Sequence, residues 1–157
     1  MADLALHAAP PSPAESRDEI RDLVHRYALY VRQGQGGLTR DLFAADAWYD
    51  IREVDARTPG NAPITIKRIE GNQVIGDYIA GTGQGGVRIV PLLHNILVDL
   101  DGDRASATVM LESRTFPPQH SFMGEYHDTF RYEDGRWLFA SRTFTMFLDH
   151  EPKGATA

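Results

Sequence analysis

Two polar side chains interrupt strand segments that are otherwise apolar on one face. In residues 121–132, the even positions carry aromatic residues and glycine, and Asp128 is their one charged member. In residues 87–100, His94 interrupts a run of apolar even positions. Because successive strand side chains point to opposite faces, both groups are predicted to face the core. A carboxylate beside an imidazole can transfer protons near neutral pH, so we expect His94 and Asp128 to be catalytic.

Each of these two groups also has a purely structural interpretation. Asp128 can pair with Arg142 or with Tyr126, and His94 can bond a backbone carbonyl. Burial raises the pKa of a carboxyl group, whereas a nearby cation lowers it. The catalytic interpretation therefore requires that the two side chains meet.

Tyrosines supply further polar groups for a pocket. Two lie in the first predicted helix, one in the first strand and one beside Asp128, namely Tyr27, Tyr30, Tyr49 and Tyr126. Phenols can polarise a carbonyl or orient a ligand. We expect Tyr126 to act with the catalytic pair and the other three to bind substrate. The alternative is that these rings only fill the core.

The composition narrows the possible functions. The chain has 157 residues, of which 42% are hydrophobic and 24% charged, and this is typical of one globular domain. A net charge of −6 without a basic run argues against binding nucleic acid or an anionic membrane. No apolar stretch approaches the roughly 20 residues that span a bilayer. The absence of cysteine excludes disulfides and thiolate chemistry and fits a cytoplasmic protein.

The sequence also gives no sign of a cofactor. The histidines lack a recognisable metal-ligand spacing, so no metal site is expected. Glycines 81, 83 and 86 match a dinucleotide-binding pattern in form. However, they follow a predicted helix and precede a strand, which is the reverse of the order that this pattern requires. We therefore expect neither a nucleotide nor any other cofactor.

Helices are predicted first and long strands last. Ser16 and Glu19 have the spacing of a capping box, which predicts a helix from Ser16 to the glycines at 34–37. Shorter elements follow, with helices over 39–43 and 72–80 and strands over 48–54 and 64–69. The remainder is predicted to form four long strands, over 87–100, 104–116, 121–132 and 136–148. This order indicates an α+β domain over residues 16–148, with flexible tails over 1–15 and 149–157.

Four segments resemble a known family in their order and content. They are Ile20–Tyr27, Asp41–Ala47, Asn95–Ala105 and Gly124–Trp137, with Arg142 after them. Together they resemble the SnoaL-like branch of the nuclear transport factor 2-like superfamily. This resemblance implies a cone of curved, mostly antiparallel sheet with three helices over its concave face and a hydrophobic pocket inside. It also implies homodimerisation through the outer face of the sheet.

The resemblance extends to individual pocket positions. Asp128 matches an acidic position that several enzymes of the family share, and Tyr49 matches a pocket aromatic. Phe144 and Met146 match pocket-lining positions if the last hairpin has a three-residue loop, because a two-residue loop would reverse the facing of that strand.

Two positions depart from the family's enzymes. Dehydratase-like and dehydrochlorinase-like members have an Asp near the end of the first helix, where this chain has Arg32. The resemblance places their His near Pro91, whereas the histidine here is His94, and a strand bulge would reconcile the two. Arg32 at the pocket mouth would bind a carboxylate or enolate of the ligand, or else it is a solvated residue at a helix end.

Two functions therefore stay open. The first is a cofactor-independent lyase, isomerase or polyketide cyclase-like enzyme that transfers protons on a small hydrophobic carbonyl or hydroxyl compound. The second is a non-catalytic module that binds a small apolar molecule or dimerises. Apolar residues on the second face of the strands favour a homodimer, among them Leu93, Leu97, Val109 and Leu111.

Overall fold

The computed structural model describes residues 9–117 and 119–153, so residues 1–8 and 154–157 of the predicted tails lie outside the described part. Three helices precede or interrupt the strands. They are α1 (Pro13–Arg32), a short 3-10 helix (Gly36–Leu42) and α2 (Asn72–Thr82). None of the described helices is both long and apolar enough to span a membrane.

Helix α1 begins earlier than its predicted start. Its N-terminal capping box is formed by Ser12 and Glu15, which hydrogen-bond each other's backbone amides. The predicted box at Ser16 and Glu19 is wrong, because Ser16 already lies inside the helix and is buried. Residues 13–15, assigned to a flexible tail from the sequence, are therefore helical.

Six strands form one sheet, as the predicted fold class requires. They are β1 (Phe43–Asp55), β2 (Ile64–Glu70), β3 (Arg88–Asp101), β4 (Arg104–Phe116), β5 (His120–Glu133) and β6 (Arg136–Leu148). Their order across the sheet is β2-β1-β6-β5-β4-β3. Every neighbouring pair is antiparallel except β1 and β6, which are parallel. The predicted bounds of β4 and β6 are confirmed.

The helices cover one face of this curved sheet and bury the main core against it. Ile20, Val24 and Tyr27 recur at helical spacing along α1 and are fully or almost fully buried. Helix α2 packs closely on the 3-10 helix, because a Cβ atom at Gly36 would lie 2.8 Å from the Ile79 backbone. The covered, inner face is the one that contains the candidate site.

A bulge in β3 reverses the facing that strict alternation predicts. Leu93 pairs with Leu111 and Ile96 with Val109, so two residues of β3 lie opposite one residue of β4. Odd residues of β3 face inward before the bulge and even residues face inward after it. His94 lies in the bulge and is exposed, so its predicted inward orientation is wrong.

The structure also corrects the apolar surface predicted for a dimer. Val109 and Leu111 are buried in the core, and Leu93 packs against it, so none of the three belongs to the outer face. Leu97 is 67% exposed and does face outward, together with Met123 on β5.

A second bulge sets the facing of β6. The turn between β5 and β6 has two residues, because Glu133 pairs with Arg136. A register shift where Phe130 pairs with Phe139 then adds one residue to β6. The shift restores the register that a three-residue loop would have given. Even residues of β6 beyond the shift therefore face inward.

Candidate functional site

A cavity of about 190 Å³ lies between α1, α2 and the inner face of the sheet. Its lining is mostly apolar and aromatic. The residues expected from the sequence that line it are Tyr27, Tyr49, Tyr126, Phe144 and Met146. An apolar cavity of about 150 Å³ is large enough to hold benzene, so this one has room for a single substituted ring.

The aromatic walls are held by ring contacts and by one glycine. Phe144 packs against Tyr126 at 5.5 Å between ring centroids and against Phe122 at 6.3 Å. A Cβ atom at Gly124 would lie 2.7 Å from the Phe144 ring and would also clash with the Thr145 carbonyl. Only glycine therefore leaves Phe144 its place in the cavity wall.

Tyrosine hydroxyls provide most of the polarity of this cavity. Burial is the main cause that raises the pKa values of Tyr27, Tyr49 and Tyr126 above their usual range. The hydroxyls of Tyr27 and Tyr49 also interact with each other. All three phenols are therefore protonated at neutral pH, so they can donate hydrogen bonds but cannot act as bases.

Beneath the tyrosines lies a buried ion pair between neighbouring strands. Asp128 and Arg142 are cross-strand partners, and both are essentially inaccessible to solvent. The guanidinium donates from Nε to Asp128 Oδ1 at 2.8 Å and from Nη2 to Oδ2 at 2.6 Å. The structural alternative for Asp128, pairing with Arg142, is confirmed.

Aromatic rings enclose the arginine of this pair. Its guanidinium carbon lies 3.9 Å from the ring centroid of Tyr126, 4.1 Å from that of Tyr27 and 4.4 Å from that of Phe139. Such contacts stabilise a desolvated cation. The pair thus supports the two tyrosines from below.

The ionisation of Asp128 reflects this enclosure. Burial raises its pKa, and the charge and hydrogen bonds of Arg142 oppose that effect. The Arg142 Nη1 atom is buried without a hydrogen-bond acceptor in the described part of the chain. Both carboxylate oxygens accept hydrogen bonds from the guanidinium, and Asp128 does not line the cavity.

His94 does not join Asp128. It lines an open groove between α1 and β3, together with Arg32 and His25. The side chains of β3 that line the cavity are Ile89 and Pro91. Strand β3 does contain a bulge, but the bulge turns His94 outward and does not bring it to the cavity.

Two other predicted substrate-binding residues also lie outside the cavity. Tyr30 is half-buried and packs against the core. Arg32 is exposed and lines both the open groove and a second opening near the end of α1.

Several cavity residues were missed by the sequence analysis. Tyr78 and Ile79 come from α2, and Ile89, Ser113 and Phe122 come from β3, β4 and β5. The even-position pattern of β5 already placed Phe122 on the core face. Ile89 was hidden because the facing of β3 depends on its bulge.

A second buried carboxylate, also missed, lies on the opposite face of the sheet. Asp50 follows Tyr49 in β1 and is fully buried. It accepts two hydrogen bonds from Arg68, at 2.6 and 2.7 Å, and one from Arg52 at 3.1 Å. The hydrogen bonds from Arg68 are the main cause that lowers the pKa of Asp50.

Metal binding finds no support in the part of the chain that is described. No group of three or more histidine or carboxylate side chains there is arranged to hold an ion. The polar groups of the cavity are hydroxyls, which are poor ligands for transition metals.

Comparison with solved structures identifies the same architecture elsewhere. The beta subunit of a candidate aromatic-ring-hydroxylating dioxygenase from Novosphingobium aromaticivorans aligns with a TM-score of 0.72 and 17% identity, over 88% of this chain and 93% of that one. A nuclear transport factor 2-like protein with a cystatin-like fold, also from Novosphingobium aromaticivorans, gives a TM-score of 0.68 and 23% identity, over 88% and 85%.

A third solved structure carries the name of an enzyme. It is a candidate scytalone dehydratase from Novosphingobium aromaticivorans, with a TM-score of 0.67 and 17% identity, over 92% of this chain and 97% of that one. At such identities the likeness establishes the fold alone. A search of curated protein sequences finds no match.

The sequence profile of one family covers most of the chain. The SnoaL-like domain matches residues 12–143, from the N-cap of α1 to the middle of β6. With the cone of six strands, the three helices and the aromatic cavity, this match shows that the chain belongs to the SnoaL-like domain family.

Proposed function

We propose that this protein binds a small, largely apolar compound that carries an oxygen acceptor, with its ring inside the aromatic cavity. The observation that carries the proposal is the lining of that cavity, where buried, protonated phenols stand among apolar side chains. Apolar walls favour a ring, and a few converging donors select a carbonyl or hydroxyl oxygen.

The lining favours binding over proton transfer by His94 and Asp128. In the described part of the chain, no carboxylate or imidazole lines the cavity. Asp128 is held by Arg142, and His94 faces the open groove. General base catalysis needs an acceptor within hydrogen-bonding reach of the ligand, and neither group meets that need.

A second candidate function is that of a lyase, isomerase or cyclase that works through the tyrosines. The likeness to a candidate scytalone dehydratase supports it. A protonated phenol such as that of Tyr126 can donate to a carbonyl or to a departing hydroxyl group, which stabilises developing negative charge. The base in such a reaction would have to be water or the substrate itself.

Calorimetric titration with acetophenone and ethylbenzene tests the binding proposal. The two compounds are similar in size, and only the first has an oxygen. We expect acetophenone to bind about fivefold more tightly, the factor expected of one hydrogen bond worth about 1 kcal/mol. Tyr126→Phe or Tyr49→Phe should reduce this preference.

Tyr132→Phe is the matched control, because Tyr132 packs against Trp137 away from the cavity. It should leave the preference unchanged. Equal affinity for both compounds in the parent protein would contradict a role for the phenols, and no binding of either would contradict the proposal as a whole.

Product formation separates the two candidate functions. Hydroxylated cyclic ketones incubated with the protein can be followed by proton NMR. Turnover that Tyr126→Phe abolishes would favour the enzyme. Saturable binding without turnover would favour the binding module.

We also propose that the protein forms a homodimer through the outer face of the sheet. Leu97 and Met123 are more than half exposed there, and Leu92 is 38% exposed. Large exposed apolar side chains on one face favour a protein partner. Leu97→Asp should shift sedimentation from dimer to monomer, and a monomeric parent protein at micromolar concentration would contradict the proposal.

The cytoplasmic location stays a prediction that rests on the cysteine-free sequence.

A further inference from the structure

We infer that the ligand is an amphipathic carboxylate, whose ring occupies the aromatic cavity and whose anionic group lies at the cavity mouth between Arg32 and Arg88. This inference rests on the proposed function, because it needs a ligand in the cavity. It adds a second compartment to the site and a charge to the ligand.

The mouth adjoins the cavity. It is a space of about 280 Å³ between the end of α1, the end of α2 and the start of β3. Val31, Ile79, Thr82 and Ile89 border both spaces. A short chain on a ligand in the cavity would have only these shared side chains to pass in order to reach the mouth.

The mouth differs from the cavity in charge. Arg32 and Arg88 line it, and its described lining contains no acidic side chain. The two residues are held together, because Arg88 Nη2 donates to the Arg32 carbonyl at 3.2 Å. Two guanidinium groups at the open end of an apolar cavity suit a carboxylate, which accepts hydrogen bonds from both.

Arg32 and Arg88 combine a place at the mouth with the absence of an acidic partner. Eight others lie within ion-pair distance of an Asp or Glu: Arg21, Arg40, Arg52, Arg57, Arg68, Arg114, Arg131 and Arg142. Within the described residues, Arg17, Arg26, Arg104 and Arg136 also lack an acidic partner of this kind, but among the arginines without one only Arg32 and Arg88 line the mouth. In a chain of net charge −6, two adjacent arginines without acidic partners leave a local positive charge that an anion can neutralise.

A different role for the pair would be to cap α1. Arg88 satisfies a carbonyl at the helix C-terminus, and a cation there interacts favourably with the helix dipole. Capping would change stability but would not distinguish an acid from its ester. The test must therefore measure the ligand's charge dependence and not only the stability of the variants.

Titration with 3-phenylpropionate and its methyl ester makes that measurement, since the two share a ring and differ in charge. We expect the parent protein to bind the acid about fivefold more tightly than the ester at low salt, with the preference falling as NaCl rises to about 500 mM. Arg32→Gln and Arg88→Gln should each weaken the preference, and the double variant should remove it. Binding of the ester should not change. Arg104→Gln is the matched control, because Arg104 is exposed, has no acidic partner in the described part of the chain and lies at the distant turn between β3 and β4.

The outcomes separate this inference from the proposed function. Equal binding of acid and ester in the parent protein would overturn the inference and leave the cavity proposal standing. Variants that unfold more easily but keep the preference would also overturn it, because capping alone would then explain the arginines. Failure of both compounds to bind, together with failure of acetophenone, would overturn both proposals.

Discussion

Two buried aspartates lie on opposite faces of the same sheet, and each is paired with arginine. Asp128 on the inner face meets Arg142, which is completely buried. Asp50 on the outer face meets Arg68, whose side chain is 49% exposed, and Arg52, whose side chain is 35% exposed. Both carboxylates are inaccessible to solvent. Only in the inner pair is the arginine buried as well.

The difference shows how the surroundings of a pair decide its role. The inner guanidinium lies against three aromatic rings, so it supports the tyrosines that face the cavity. The outer guanidinium of Arg68 covers Trp48 at 4.6 Å and ties β2 to β1. One pair thus positions groups of the candidate site, and the other fastens an edge strand.

Breaking the inner pair should have the largest effect on stability. Arg142→Met leaves the Asp128 carboxylate buried without its partner, and such changes cost about 3–5 kcal/mol. Urea unfolding measures this loss. The double variant Asp128→Leu with Arg142→Met should be more stable than Arg142→Met alone, since no charge is then left buried. A double variant less stable than the single one would contradict this view of the pair.

Breaking the outer pair should cost less. Asp50→Asn removes charge-assisted hydrogen bonds worth about 1–3 kcal/mol, but both arginines can turn towards water. The same unfolding experiment compares this variant with Arg142→Met. A loss of stability as large as that of Arg142→Met would contradict the expectation that the partly exposed arginines make the outer pair less costly to break.

Lowering the pH should change the stabilising contributions of the two aspartates in opposite directions. The pKa of Asp50 is lowered in the folded protein, so its stabilising contribution is present above its unfolded pKa and is lost as pH falls through the folded one. The pKa of Asp128 is raised by burial, so its contribution is larger at low pH and declines as pH rises.

Unfolding free energies from about pH 6 to about pH 3 measure these contributions. The stability difference between the parent protein and Asp50→Asn should shrink over that range. The difference between the parent protein and Asp128→Asn should grow. If both stability differences shrink, or both grow, as the pH falls, the contrast between the two aspartates is contradicted.

Most of the fold could be predicted from the sequence because it depends on local patterns. The bounds of β4 and β6 follow from alternation between the turn sequences at 101–103 and 134–135 and the Pro-Pro sequence after β4. The helical spacing of α1 likewise predicts its buried stripe. The start of α1 was misplaced because Ser12–Glu15 and Ser16–Glu19 have the same capping-box spacing, and only the structure decides between them.

The site was harder to predict because it depends on two bulges. In β3 the bulge turns His94 outward and Pro91 inward, and in β6 it makes Arg142, Phe144 and Met146 face the interior. A bulge reverses the facing of every residue beyond it. No residue type in these strands predicts where a bulge lies. Asp50 was overlooked because its arginine partners, Arg52 and Arg68, are set by strand pairing.

The inner cavity is proposed to receive a small ring compound with an oxygen acceptor. Met146 lines that cavity and Met123 lies on the outer face, so methyl-13C methionine spectra report on both places at once. On titration with acetophenone, the Met146 methyl signal should shift until it saturates, while the Met123 signal stays in place. A Met146 signal that does not move at millimolar acetophenone, or one that moves only together with Met123, would contradict the claim.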